Sequence, residues 1–253
     1  MLTLVAYYGQ KPAALATLIK TRQQELTNRL GTNFIPYELE QVHATIIGCE
    51  GTRDEQGIVS HWFTSLRGEM RYIDFVGLIK YLSQTSHLPL EIVFGGYQPA
   101  QNYRFLSRRQ HPSDRSFTIQ TTATQDPTNL QGIPVMLGWS MENNLITLAI
   151  DNLRRDCQQF NLLHKYHAKD SDLDNDLYLR LGTITGVNSN ALTTVGEQMI
   201  YQMQQIPPTK VSLSQDDLAI VDYQELSLPT TSTQVHKLKS LRENPEIQQF
   251  ASK

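Results

Sequence analysis

The sequence predicts an α+β protein of two similar lobes, each a small, mostly antiparallel sheet with helices on its outer face, joined around a central cleft. Two observations predict it. Short runs of alternating or continuous apolar residues, stopped by glycine or by polar turns, recur along the chain and read as strands. Between them lie segments with apolar residues at helical spacing, and each half of the chain runs helix, short polar strand, helix, strand. The repeat is one of architecture, not of residues.

The opening "LTLVAYYG" reads as a buried strand, rich in β-branched and aromatic residues and stopped by Gly9. From Pro12 to Leu30, Leu15, Leu18, Ile19, Leu26 and Leu30 fit one helical face, with Pro12 in the first turn and Gly31 just past the end. In "EQVHATIIGCEG" Val42, Ala44, Ile46 and Gly48 alternate with His43, Thr45 and Ile47, so His43 and Thr45 share the face opposite the core. A second helix covers about 72–86 with Ile73, Val76, Ile79 and Leu82 as its stripe, and the strand "LPLEIVFGGYQ" follows. The polar region 97–132 holds one strand, "SFTIQTTA", and a turn-rich link, "TQDPTNLQG"; "IPVMLGWS" is another buried strand. In the second half, the helix "LITLAIDNLRRDCQQFNLLHKY" leads through the acidic turn "AKDSDLDND" to the strand "LYLRLGTIT". The helix "TTVGEQMIYQMQQI" precedes strands "TKVSLSQDD" and "LAIVDYQEL" and a last piece near Val235. Residues 1–238 thus read as a single bilobal domain with an inserted basic segment at about 97–132, and 239–253 as a polar tail that frays.

At 253 residues the chain can bury a sizeable core, and 40% apolar with 19% charged content argues against long disorder. A net charge of −3 gives no global attraction to nucleic acid or anionic membrane, so such contact needs a local basic patch. Cys49 and Cys157 lack metal-type spacing and read as free thiols of a reducing compartment, with a disulfide between them as the unsupported alternative. The start "MLTLVAYYGQK" does not have the pattern of a signal peptide, and no run approaches the ~18 apolar residues of a membrane span. The expectation is a cytoplasmic protein with no membrane partner and no obligate protein partner.

His43 with Thr45 forms the first candidate site. A neutral imidazole exchanges a proton near pH 7 and a neighbouring hydroxyl bonds a phosphoryl oxygen; the plainer reading is a polar outer face. In "DLYLRLGTITG", Leu177, Leu179 and Leu181 form the core face and leave Tyr178, Arg180 and Gly182 on the other. If the lobes pair symmetrically, His43, Thr45, Tyr178 and Arg180 enter one cleft. A guanidinium suits a phosphate because its planar fork bonds two oxygens; the plainer reading pairs Arg180 with Asp176.

The element order, "HATIIG", "LPLEIVFGG" and "TKVSLSQDDLAIVDYQEL" together resemble the 2H phosphoesterase superfamily over about residues 1–238. Its members include RNA ligase-like and 2′,3′-cyclic phosphodiesterases and carry two His-x-Thr/Ser motifs facing each other across a groove. The resemblance implies that His43 is a catalytic histidine and Thr45 a phosphate-binding hydroxyl, with no metal and no cofactor required. The second motif departs from the pattern: Tyr178 stands for its histidine and Arg180 for its Thr or Ser. Tyrosine, with an ordinary pKa of about 10, donates a proton but is a poor base at neutral pH. Arg180 stabilises phosphoryl charge without moving a proton. The expected function is hydrolysis or binding of a cyclic phosphate, nucleotide or RNA end, with His43 as acid/base, Tyr178 as surrogate acid, and Thr45 and Arg180 on the phosphoryl group. The alternative is a catalytically silent nucleotide- or RNA-binding module that keeps the cleft, and a third reading is a protein-interaction scaffold.

Four further features carry weaker signals. In "NYRFLSRRQHPSDRSF", Tyr103, Arg104, Arg108, Arg109 and Arg115 are candidate nucleotide or RNA contacts, against a plainer solvated loop. His164 and His167 precede the second strand and either could supply the missing histidine, although helix ends commonly carry surface histidines. Asp170, Asp172 and Asp174 open like a calcium loop, but Asn175 and Leu181 stand where glycine and glutamate belong, so a solvated turn is the better reading. His61, His87, His111 and His236 read as surface residues.

Overall fold

The computed structural model describes residues 1–122 and 130–243. It is an α+β fold in which every strand pairing among the described residues is antiparallel. A four-stranded sheet has the order Gln234–Lys237, Leu218–Asp222, Leu2–Ala6, Ala44–Gly48. A larger sheet has the order Thr209–Leu213, Leu90–Phe94, Leu130–Glu142, Gly182–Val187, Phe34–Pro36. Its long strand Leu130–Glu142 also pairs with Phe117–Thr122, Leu145–Ile146 and Leu177–Arg180. The halves of the sequence therefore do not make one sheet each. Leu2–Ala6 is buried along its whole length and Leu218–Asp222 through Val221, and the two pair as the central strands of the four-stranded sheet. Periodicity marks such strands but says nothing of their partners.

The helices differ in detail from expectation. Ala13–Leu30 buries Leu15, Leu18, Ile19 and Leu26, as its spacing predicts. Phe75–Gln84 is capped by Asp74, which accepts from the Gly77 amide at 2.8 Å. It buries Phe75, Leu78, Ile79 and Leu82, while Val76 is turned to solvent. The expected long helix after Leu145 is instead a two-residue strand, the helix Ala149–Asp156, a 3₁₀ turn and an irregular loop from 161 to 176. Residues 51–60 form a separate hairpin followed by the helix His61–Arg67, none of which the sequence reading anticipated. The expected fraying tail begins as a helix, Leu238–Glu243, with Leu238 and Leu241 buried. The turn-rich link expected within 124–132 lies mostly outside the described residues. No helix among the described residues is long and apolar enough to cross a membrane.

One apolar cluster joins the inner sides of both sheets, from Leu4, Ile46 and Ile47 to Leu177, Leu179 and Leu181. The edge strand Ala44–Gly48 packs against Leu177–Arg180 of the other sheet, and Arg154 ties the first strand to the loop that leads into the second. Its fully buried guanidinium donates to the carbonyls of Thr45 (3.1 Å), Ile46 (2.8 Å), Asp174 (2.8 Å) and Asp176 (3.1 Å), and lies 3.4 Å from the Asp174 carboxylate. Arg154→Met is expected to lower the unfolding free energy by about 3–5 kcal/mol, because it strands a buried carboxylate and orphans these carbonyls. Lys210→Met, which breaks the exposed pair with Glu91, is expected to cost less than about 1 kcal/mol in the same denaturant titration.

Candidate active-site cleft

The seam bridged by Arg154 opens into a cleft of about 940 Å³, its open mouth included. His43, Thr45, Tyr178 and Arg180 all line it. The strand Leu177–Arg180 alternates as expected, with Leu177 and Leu179 buried and Tyr178 and Arg180 half-buried on the cleft side. The first wall departs from simple alternation. Leu4 pairs with Ile47 but Val5 with Thr45, which leaves Ile46 as the extra residue of a bulge. Ile46 and Ile47 consequently both enter the core, and Gly48 rather than Ile47 joins His43 and Thr45 on the cleft side.

His43 is buried, and its Nδ1–H donates to the Gln41 carbonyl at 2.8 Å. That bond fixes the tautomer and leaves Nε2 as a lone pair with no partner among the described residues. Burial pushes the imidazole pKa down to about 4; the Gln41 bond opposes this, and the Arg180 and Lys11 cations add to it. His43 is therefore neutral at pH 7 and able to accept a proton. Arg180 forms no ion pair among the described residues. Asp176, its expected partner, is taken up elsewhere: it accepts from Ser107 Oγ at 2.6 Å and Trp139 Nε1 at 2.8 Å, and lies 3.7 Å from Arg115.

Tyr178 is also committed. Its hydroxyl donates to Asp176 at 3.2 Å and accepts from Arg108 Nη2 at 2.6 Å. Burial raises its pKa well above the ordinary value, and the Asp174 and Asp176 carboxylates raise it further. This argues against the acid role expected of it. The loop 161–176, which carries no periodic pattern, brings His164, Lys165, Tyr166 and Asp174 to the cleft wall. His164 Nε2 lies 2.7 Å from Asp174 Oδ2. Burial raises the Asp174 pKa, but the His164 hydrogen bond and the Arg154 charge outweigh it and hold the carboxyl at about 2. Burial lowers that of His164 to about 4 against the pull of Asp174. The pair is thus a carboxylate accepting from a neutral imidazole. His167 is wholly buried, with Nε2 2.8 Å from Asp151 Oδ1, and is not on the cleft wall.

The basic segment divides. Tyr103 is buried in an aromatic cluster with Tyr97 and Trp139, its hydroxyl accepting from the Gln98 amide, and Arg115 is buried beside Asp176. Neither is available to RNA, because both pin the segment onto the apolar outer face of the larger sheet. Arg104 and Arg109 are exposed, and Arg108 lies over the rings of Tyr166 (4.9 Å) and Tyr178 (5.8 Å). In the acidic turn, Asp174 and Asp176 are consumed by these buried contacts, and no group of three or more His, Cys, Asp or Glu among the described residues is placed to hold a metal ion. His111 caps the short helix Pro112–Arg115, and His87 pairs with Asp156 at 3.2 Å. Glu50, Trp62 and Leu226 complete the mouth, with Trp62 Nε1 donating to Glu50 at 3.1 Å. No periodic signal marks them, since they lie in loops or on a short helix. No family model and no curated protein matches the chain.

His43 and His164 refuse protons that the unfolded chain binds as pH falls from about 6.5 to about 4. A depressed histidine pKa contributes stability that is present above this window and lost on descending through it. Denaturant unfolding across the window is expected to lose about 2–3 kcal/mol per imidazole. His43→Gln is expected to remove about half of that slope, and an unfolding free energy flat from pH 6.5 to 4 would contradict the burial of both rings.

Proposed function

We propose that the cleft is a 2H phosphoesterase-like site that opens a cyclic phosphodiester on a nucleotide or RNA end. In this reading the two sheets take the place of the family's two lobes. The observation that carries it is the convergence of three groups on one cleft: the unengaged Nε2 of His43, the Thr45 side chain, and the Arg180 guanidinium free of any described carboxylate. His43 Nε2 takes a proton from attacking water, while Thr45 and Arg180 hold the non-bridging oxygens and the charge that grows on them. Lys165 adds a second cation on the cleft wall, and Trp62 offers a ring face suited to a nucleobase. Glu50 disfavours a second phosphate at its end of the cleft and suits a sugar hydroxyl or a base amine.

A second reading, a silent nucleotide- or RNA-binding module, is favoured by one observation. The hydroxyl standing where the family has its second histidine is held between Arg108 and Asp176. Phosphorus NMR on nucleoside 2′,3′-cyclic phosphates separates the two. The enzyme reading expects ring opening that His43→Ala slows by about 10²–10⁴-fold. It also expects Arg180→Ala to raise KM by about 10–100-fold, as loss of a charged hydrogen bond requires. Thermal stabilisation by nucleotides with no turnover above the His43→Ala background would instead favour the binder.

A further inference from the structure

We infer that His164 is the second proton-transfer residue of this cleft, giving a proton from Nδ1 to the departing oxygen while Asp174 holds its Nε2. The inference rests on the phosphoesterase reading and names the acid that reading lacks. His164 comes from the loop 161–176, not from the strand where Tyr178 stands, yet lines the same cleft as His43.

Three features single it out. Its ring is held from behind, because Nε2–H donates at 2.7 Å to a buried Asp174 carboxylate that Arg154 keeps ionised from 3.4 Å away. Its Nδ1 is buried with no hydrogen-bond partner among the described residues, and an orphaned buried polar atom is costly unless a ligand or water completes it. The ring is steadied edge-on by Tyr166 and His167, with centroids 5.6 and 5.1 Å away. His167 also has an orphaned Nδ1 but sits off the cleft wall; among the described residues that line the cleft, His164 alone carries an orphaned buried nitrogen.

The surroundings divide the labour. His43 is fixed by a neutral carbonyl, and burial together with the cations of Arg180 and Lys11 keeps it unprotonated and so free to accept a proton. His164 is backed by a carboxylate, so it is the ring that takes up a proton when an anionic phosphate enters. Water then attacks phosphorus, and His43 Nε2 takes the water's proton. The ring P–O bond breaks, and the leaving alkoxide receives the Nδ1 proton of the His164 imidazolium. The product is a phosphomonoester; His43 returns its proton to solvent and His164 regains one.

The test compares a nucleoside 2′,3′-cyclic phosphate with the same compound carrying sulfur at the leaving bridging position, because a thiolate departs without protonation. His164→Gln is expected to slow the oxygen compound by about 10²–10⁴-fold and the sulfur compound by less than about tenfold. His43→Gln is expected to slow both. The ratio of the two rates does not depend on how much of the variant is folded, so partial loss of structure cannot imitate the result. An unchanged ratio in His164→Gln, with His43→Gln still slowing both compounds, overturns the inference and leaves the phosphoesterase reading standing. Wild-type protein inert toward both compounds overturns the two together.

Discussion

The bridge made by Arg154 is the contact on which the rest of the structure depends. Its guanidinium is always charged and presents several donors in a fixed plane, so one side chain satisfies backbone carbonyls of one sheet's edge strand and of the loop that leads into the other sheet. A buried cation is tolerated only when paired, and the pairing falls to Asp174. Asp174 in turn accepts from His164. The tie between the sheets and the orientation of a cleft imidazole are therefore parts of one network. A change that loosens the seam also releases the ring.

The electrostatics of the cleft follow from its walls and not from the net charge. Arg180 and Lys165 face the space beside His43, and Glu50 stands at the mouth with Trp62. An anionic ligand with a polar, donor-bearing body fits this polarity. Burial keeps both cleft histidines neutral, so each offers a lone pair at pH 7. What distinguishes them is the group behind each ring, a peptide carbonyl for His43 and a carboxylate for His164.

Much of this was legible in the sequence, and the failures have physical causes. Leucines at 177, 179 and 181 placed Tyr178 and Arg180 on one face because that strand is regular over those residues. The same reasoning misplaced Ile47, since a bulge at Ile46 shifts the phase and no residue type announces it. Val76 was assigned to the core of a helix whose buried stripe starts at Phe75, one position away. Asp176 looked like a partner for Arg180 by strand spacing, but tertiary donors from Ser107, Trp139 and Tyr178 claim it. Tyr103 and Arg115 looked like nucleic-acid contacts because composition does not reveal which side of a segment lies on a sheet. His164 stood out only as one of two histidines near a strand; its Asp174 partner, ten residues away across an irregular loop, follows no period.

The central claim is that two neutral imidazoles present lone pairs to one phosphate-binding cleft. Nitrogen-15 NMR of histidine-labelled protein at neutral pH, with and without a nucleoside 2′-monophosphate, tests it most directly. The account predicts that His43 carries its proton on Nδ1 and His164 on Nε2, and that the ligand shifts His43 Nε2 and His164 Nδ1 together. The opposite tautomers, or a bound nucleotide that leaves both nitrogens unmoved, would contradict it.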